Sequence, residues 1–492
     1  MRTLRSEIRD VTMGHRPAQI SRRGVSPAFR ERRRPPAKFW TLAAMSLGYA
    51  VVQLDVTIVN TPLSSIGASL GGGVRELQWV VSSYTIAFAA LILTAGALGD
   101  RLGAKRIFVA GFALFTTASF ACALAATAPM LISARALEGV GAALLVPNSL
   151  ALLNHAYPDE KGRGRALGIW AAGASLALTA GPLAGGSLIT LVGWRSIFLV
   201  NLPIGLAGVW LTWRYATETK PSSEREVDLA GQGAAIGGLG FLAAAIIEAG
   251  ALGWSNPRVL GCFFLALVLS ALFVLQERRA TQPVLPLPLF KNRRFSVASL
   301  IGLLVNVAFY GTIFVLSLYF QEVNGRSPFG AGLAFLPMMG AVLPVNLVAA
   351  RASERLGARL VIAAGATLAA AGCFALVGIE PKTSYGTMVA PLVAMGSGLG
   401  LLVPPLTSVL LGSVERTRSG LAAGVLNSAR QTGSALGVAL FGSLIGGANA
   451  FMPGTRESLI ISAMLLLCAA AAILLQRRYV GNDRASTSSQ AR

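Results

Sequence analysis

Two uncharged and mostly apolar runs, Leu77 to Gly99 and Ile107 to Ala134, are separated by only a few residues. Each exceeds the roughly 20 residues that cross the hydrocarbon of a bilayer as a helix at 1.5 Å rise per residue. The connection, Gly96-Ala97-Leu98-Gly99-Asp100-Arg101-Leu102-Gly103-Ala104-Lys105-Arg106, is therefore a charged, glycine-broken turn between two membrane helices. Lys and Arg clustered beside short connections mark the cytoplasmic face, so Arg101, Lys105 and Arg106 orient the pair. A weaker copy, Glu354-Arg355-Leu356-Gly357-Ala358-Arg359, again lies between apolar runs. One turn repeated in two halves sets orientation and internal symmetry together.

The rest of the chain fits that frame. Charged residues make up 13% and hydrophobic ones 54%; soluble domains carry about 25% charged residues, so this pattern is polytopic. The net charge of +21 would suit a polyanion partner, but its placement argues for topology instead. Of 42 Lys and Arg, 34 fall in segments expected to be cytoplasmic and six outside (Arg75, Arg195, Arg258, Arg326, Lys382, Arg456), with Arg135 and Arg430 inside spans. That asymmetry needs no nucleic acid. Cys122, Cys262, Cys373 and Cys468 stand singly in apolar runs, and the two histidines, His15 and His155, are far apart. Neither a disulfide framework nor a metal centre is expected. No Walker motif is present, so ATP is not expected to drive the protein.

The expected fold is an all-α polytopic membrane protein with fourteen spans, counted as six, two and six. Residues 1–37 read as a disordered basic cytoplasmic tail, 38–213 as an N-terminal six-helix bundle, and 214–294 as two extra spans with a cytoplasmic linker. Residues 295–477 read as a C-terminal six-helix bundle and 478–492 as a cytoplasmic tail. The first span is expected to run from about Phe39 to Leu63, with Asp55 near its outer end. The fifth is expected from Ala166 and the last from residue 458.

On the residues Gly96, Leu98, Asp100, Arg101, Gly103, Lys105 and Arg106, the first turn resembles the signature loop of the major facilitator superfamily of secondary transporters. Leu54-Asp55-Val56-Thr57-Ile58-Val59-Asn60 resembles the first-span signature of its fourteen-span drug/proton antiporter branch. Arg135-Ala136-Leu137-Glu138-Gly139-Val140-Gly141 resembles the fourth-span motif whose Arg is associated with proton transfer, although Gln is usual at the Glu138 position. Gly181-Pro182-Leu183-Ala184-Gly185-Gly186 resembles the motif of the superfamily's antiporters. Trp194, Arg195, Phe198, Asn201 and Pro203 also follow the branch. Within it the chain looks most like antibiotic-resistance exporters of the actinomycete type.

Candidate functional residues follow. A carboxylate inside an apolar span is costly and marks a functional site by default, which singles out Asp55 as the candidate carrier or gate of the coupling proton; the plainer alternative is a hydrated interfacial residue. Arg135 and Glu138, at i and i+3, can pair, and Glu138 either adds a second proton site or only neutralises Arg135. Gly96, Asp100, Arg101, Gly103 and Arg106, with Glu354 and Arg355, are expected to act in a conformational switch. Gly181, Pro182, Gly185 and Gly186 form a small-residue strip with a helix breaker. Asn60, Asn427, Arg430 and Gln431 are candidates for the substrate cavity. Arg430 stands out, since a charge at that depth needs a carboxylate or a ligand.

The resemblance implies a proton-coupled exporter of lipophilic drugs or antibiotics in the cell membrane, both termini cytoplasmic, not an enzyme. Its partners would be a lipophilic small molecule, protons and the bilayer, with no cofactor besides the coupling proton. The alternative is a proton-coupled importer of a small metabolite with the same fold; a membrane sensor or scaffold is a third reading, disfavoured by the lack of an output domain. Nothing in the pattern bears on oligomeric state.

Overall fold

The computed structural model describes residues 37–221, 228–280, 283, 285–415, 418–447 and 450–476. The basic tail expected at 1–37 (all but residue 37), the tail at 478–492 and part of the 214–294 linker lie outside the described residues.

Seventeen α-helices follow in order: α1 (Ala37–Ile58), α2 (Leu63–Leu70), α3 (Val74–Leu102), α4 (Ala104–Ala123), α5 (Ala128–Ala156), α6 (Glu160–Val192), α7 (Ser196–Leu199) and α8 (Asn201–Tyr215). A hairpin follows, α9 (Leu229–Leu252) and α10 (Pro257–Arg279). Then come α11 (Arg293–Leu318), α12 (Pro328–Ala334), α13 (Leu336–Leu356), α14 (Ala358–Ala375), α15 (Tyr385–Leu411), α16 (Ser419–Ile445) and α17 (Phe451–Leu475). No strand occurs among the described residues. Among the described residues, thirteen segments are long and apolar enough to cross a membrane. Helix α16 is as long as its neighbours but is not among them, because Asn427, Ser428, Arg430, Gln431, Thr432 and Ser434 interrupt its apolar surface.

The helices pair in a repeated pattern. Helix α1 packs on α6 and α8, α5 on α3 and α4, and α4 on α8. In the second half α11 packs on α16 and α17, α15 on α13 and α14, and α14 on α17. The two charged turns share one geometry: Gly103 (φ +100°) and Gly357 (φ +85°) both sit in the left-handed region that favours glycine. Each donates its N–H to the carbonyl four residues back, Gly99 at 2.9 Å and Ser353 at 3.0 Å. The first turn carries an additional cap. Glu218, beyond α8, accepts from the backbone N–H of Lys105 (2.8 Å) and Arg106 (3.2 Å), and Thr219 accepts from that of Ala104 (2.9 Å). A carboxylate there satisfies the orphan donors that open α4.

Several boundaries differ from those expected, each for a local reason. Helix α1 stops at Ile58, not Leu63, since Pro62 disfavours helix before it and Asn60 turns its amide back onto the Val56 carbonyl at 3.0 Å. Helix α6 begins at Glu160 because Asp159 caps it, accepting from Gly162 N–H at 2.6 Å. Its 33 residues span about 50 Å, more than the hydrocarbon needs, so its charged first turns project beyond. The run at 327–350 breaks at Phe335, where Pro337 in the next turn cannot continue the hydrogen-bond ladder. Helix α17 starts at Phe451 and takes Arg456 into its first turns.

The halves meet at the end opposite the basic turns. The hydroxyl of Ser317 donates to the Asn60 carbonyl at 2.5 Å, Ser64 donates to Glu322 at 3.1 Å, and Gln78 donates to the carbonyls of Val438 and Ala439 at 3.3 and 2.6 Å. Helix α6 presses on α12 there: a Cβ at Gly186 would lie 2.7 Å from the Pro328 carbonyl. Helix α9 lies across the seam and packs on both α3 and α16, with Gln232 bonded to Thr94 and to the Ala90 carbonyl.

Glycine at such contacts sets helix spacing. A Cβ at Gly437 would collide with the backbone of Val307 on α11, whereas one at Gly420 meets nothing within 4 Å. Gly437→Val should therefore destabilise by about 1–3 kcal/mol or more, while Gly420→Ala should leave the unfolding midpoint of detergent-purified protein unchanged. Equal midpoints for both variants in a thermal-shift assay would contradict this packing.

Candidate functional site

Four bends of the first half bring polar groups from distant parts of the chain into one dry cluster. The Arg135 side chain, on α5, is 1% exposed; Asp55 on α1 and Glu138 one turn along α5 are both 0% exposed. Arg135 Nη1 lies 2.6 Å from Asp55 Oδ2 and 2.7 Å from Glu138 Oε2. Its Nε donates to the Val80 carbonyl of α3 at 3.3 Å, and its guanidinium lies 4.3 Å from the centre of the Tyr84 ring. Asn201, at the start of α8, points its amide at Ser119 Oγ (3.0 Å) and at both carboxylates, Asp55 Oδ1 and Glu138 Oε1 (each 3.4 Å). Cys122 donates to Glu138 Oε2 at 3.5 Å.

Two carboxylates thus share one guanidinium, out of reach of water. A buried pair stays only when its remaining donors and acceptors are met, and here five helices supply them. With both carboxylates ionised the cluster carries one net negative charge; with one proton it is neutral. Such an arrangement can hold or release a single proton.

Asp55 is not the hydrated interfacial residue that its place near the end of the run allowed. The expected Arg135–Glu138 pair forms, and Asp55 joins it. Tyr84, Ser119 and Cys122 had not been singled out for this role, and only the lone serine in the α4 run gave a hint. Asn60 is a buried turn residue whose amide caps α1 and whose carbonyl takes the Ser317 hydroxyl. Asn427 and Arg430 are half-buried and Gln431 buried on α16, far along the sequence from the cluster.

The small-residue strip of α6 meets α1 directly. A Cβ at Gly181 would strike Thr57 Oγ1, and one at Gly185 would lie 2.9 Å from Ile58 Cγ1. Pro182 has no N–H for the carbonyl of Leu178 one turn back, and Thr57 Oγ1 supplies that missing donor at 3.1 Å. Asp100, Arg101, Arg106, Glu354 and Arg355 all lie at the surface of the two basic turns, distant from the cluster. Gly96 packs 3.5 Å from Pro147 as judged by an added Cβ.

The comparisons agree with this architecture. A family model described as "Major Facilitator Superfamily" matches residues 45–438. The chain belongs to that superfamily. It is 39% identical over 405 residues to the "Methylenomycin A resistance protein" of Bacillus subtilis, covering 82% of this chain and 87% of that one. It is 38% identical to the "Multidrug resistance protein Stp" of Mycobacterium tuberculosis, covering 82% and 75%. Among solved structures, a bacterial homologue of the human lysosomal transporter Spinster, described as inward-facing and unoccupied, shares the fold. That match has a TM-score of 0.64, 18% identity, and coverage of 90% of this chain and 97% of that one. This major facilitator protein is therefore an all-α, multi-pass membrane protein of a transporter family.

Removing one member of the cluster is expected to matter unequally. Arg135→Gln strands two carboxylates in a dry site, and breaking a buried pair costs about 3–5 kcal/mol. Asp55→Asn leaves Arg135 with Glu138 and should cost much less. Unfolding midpoints in detergent should rank wild type, then Asp55→Asn, then Arg135→Gln; an Arg135→Gln protein as stable as Asp55→Asn would contradict the arrangement.

Proposed function

We propose that this protein exports antibiotics or other lipophilic drugs from the cell in exchange for protons, by alternating access, and so confers resistance. The observation that carries this reading is the sealed Asp55–Arg135–Glu138 cluster, a one-proton site without access for a bulky molecule. It is supported by the names of the similar proteins, which speak of methylenomycin A and multidrug resistance. The protein works as a transporter and not as a catalyst, and the proton is the only coupling agent it needs.

In this reading the basic turns face the cytoplasm, in keeping with the 34-to-6 split of Lys and Arg, and both termini are cytoplasmic in the cell membrane. Helix α16 brings the thirteen apolar spans to fourteen, and its polar residues Ser428, Gln431 and Ser434 turn toward other helices. The end at which the halves are closed is, in this reading, the outer one. The 38–213 and 295–477 bundles rock about the cluster side of α1, with α9 and α10 as an added hairpin.

Asp55 is the residue on which coupling turns. Proton uptake neutralises the cluster and loosens its hold on Arg135; release restores the ion pair. The turn residues Asp100 and Arg101, with Gly96, Gly103, Arg106, Glu354 and Arg355, latch one end state and do not meet cargo. Gly181, Pro182, Gly185 and Gly186 let α6 pivot against α1.

Asp55→Asn keeps the shape and removes titration. In inverted vesicles it should abolish proton-driven drug accumulation, by about a hundredfold or more, yet still permit downhill exchange. Wild-type uphill pumping by Asp55→Asn would move the coupling proton elsewhere. A separate measurement addresses the latch: Asp100→Asn should slow transport while equilibrium drug binding stays within about twofold, roughly half a kcal/mol. A large loss of affinity with an unchanged rate would contradict that role.

A further inference from the structure

A second arginine within a span, half-buried, has none of the partners that Arg135 enjoys. Arg430 sits mid-way along α16, and its Nη2 donates to Thr407 Oγ1 on α15 at 3.0 Å. Among the described residues no carboxylate lies within ion-pair distance of it. The groups that feel its charge are two phenols, Tyr49 on α1 and Tyr310 on α11. Tyr49 in turn stacks on Trp170 of α6, with ring centres 4.1 Å apart and planes 15° apart, and Trp170 is fixed by donating to Ser149 Oγ at 3.1 Å. Tyr49, Trp170, Tyr310 and Arg430 are all half-buried although each stands well inside its helix, and the three rings pack along the edge of one apolar cluster of the first half.

A guanidinium carries five N–H donors and no acceptor, and one hydroxyl leaves most of them unmet. An uncompensated charge at that depth is expensive and marks a site by default. The planar fork matches a carboxylate with two parallel hydrogen bonds, and the stacked indole and phenol beside it offer a flat apolar face. Helices α1 and α6 come from one half, and α11, α15 and α16 from the other, so the group spans the seam that alternating access would open and close.

We propose that Arg430, with Thr407, Tyr310 and the Tyr49–Trp170 stack, forms a subsite for the carboxylate of an aromatic or otherwise flat amphiphile. This deepens the export reading and rests on it for the word cargo. The carboxylate accepts from the Arg430 fork, the ring system lies along Tyr49 and Trp170, and the Asp55 cluster stays sealed behind α1.

The test is equilibrium binding to purified full-length protein, which needs no proton gradient and so stands or falls apart from transport. The probes are 2-naphthoate and its neutral amide, 2-naphthamide, titrated by calorimetry. Wild type should prefer the acid by about ten- to a hundredfold, the worth of a hydrogen-bonded charge. Arg430→Gln should bring the two probes level by weakening the acid alone. Arg430→Lys, which keeps the charge and loses the fork, should show an intermediate ratio, and it serves if the Gln variant fails to fold. Trp170→Ala should weaken acid and amide together. Equal affinities of wild type for both probes would overturn the subsite, as would an acid preference that survives in Arg430→Gln or is undiminished in Arg430→Lys. Proton-driven drug export that persists in vesicles alongside such a result would leave the export reading intact, whereas a correct acid preference without export would sink that reading alone.

Discussion

A guanidinium sealed among apolar helices is tolerable only when carboxylates and carbonyls reach it from several directions at once. Arg135 meets that condition through Asp55 of α1, Glu138 of α5, the Val80 carbonyl of α3 and the ring of Tyr84, while Asn201 of α8, which also donates to Ser119 of α4, holds the two carboxylates. No single pair of helices could satisfy it. The first half is therefore pinned at its centre by one ionic knot, and every helix that contributes has its rotation about its own axis fixed by the group it must present. The second half has no such knot. Its core is apolar, with Met338, Met339, Met388 and Met395 among the closely buried side chains, and its spacing is set by glycines such as Gly396 and Gly437 against neighbouring backbone. A half held by directional bonds and a half held by close packing differ in one further respect: of the two, among the described residues, only the first buries carboxylates.

The α1–α6 contact shows how a helix breaker becomes a joint. Pro182 frees the Leu178 carbonyl, and in hydrocarbon an unmet carbonyl costs several kcal/mol. Thr57 meets it, and the absence of side chains at Gly181 and Gly185 allows α1 close enough to do so. The bond crosses between helices and can be exchanged for another as they shift, which an intrahelical bond could not be. At the far end the same strip continues into Gly186, where it meets Pro328 and Phe329 of the other half. One face of α6 thus reads the position of α1 and of α12 together.

How much of this was legible depended on the range of the forces involved. Helix positions and the repeat of the charged turn were readable, because hydropathy and positive φ at Gly103 and Gly357 are local properties. The Arg135–Glu138 pair was also readable from i, i+3 spacing. That Asp55 would be their third member was not, since 80 residues separate it from Arg135 and only the packing of α1 against α5 joins them. The role Asn60 plays at the end of α1 is local by contrast, capping a helix that Pro62 cuts short. Glu218 was invisible as well: its role as the cap of α4 depends on a chain return after α8 that no periodicity encodes.

The two arginines also say where cargo and proton can meet. Arg135 is enclosed and charge-compensated; Arg430 is half-buried beside aromatic rings and has only Thr407. A molecule large enough to need export cannot enter the first site, and a proton has no carboxylate at the second. In the proposed reading, direct competition for one group is therefore not available, and coupling passes through structure. Helix α1 is the connection, since it carries Tyr49, Asp55 and Thr57 in that order. Tyr49 and Asp55 are six residues apart, about 9 Å along the axis. In the proposed mechanism a change of charge at Asp55 alters the grip of α1 on Arg135, and the same rigid rod then moves Thr57 against the Leu178 carbonyl and Tyr49 against Trp170. On that reading one helix, held near its C-terminal end by the ion cluster, carries a proton's presence to the joint on one side and to the aromatic pair on the other.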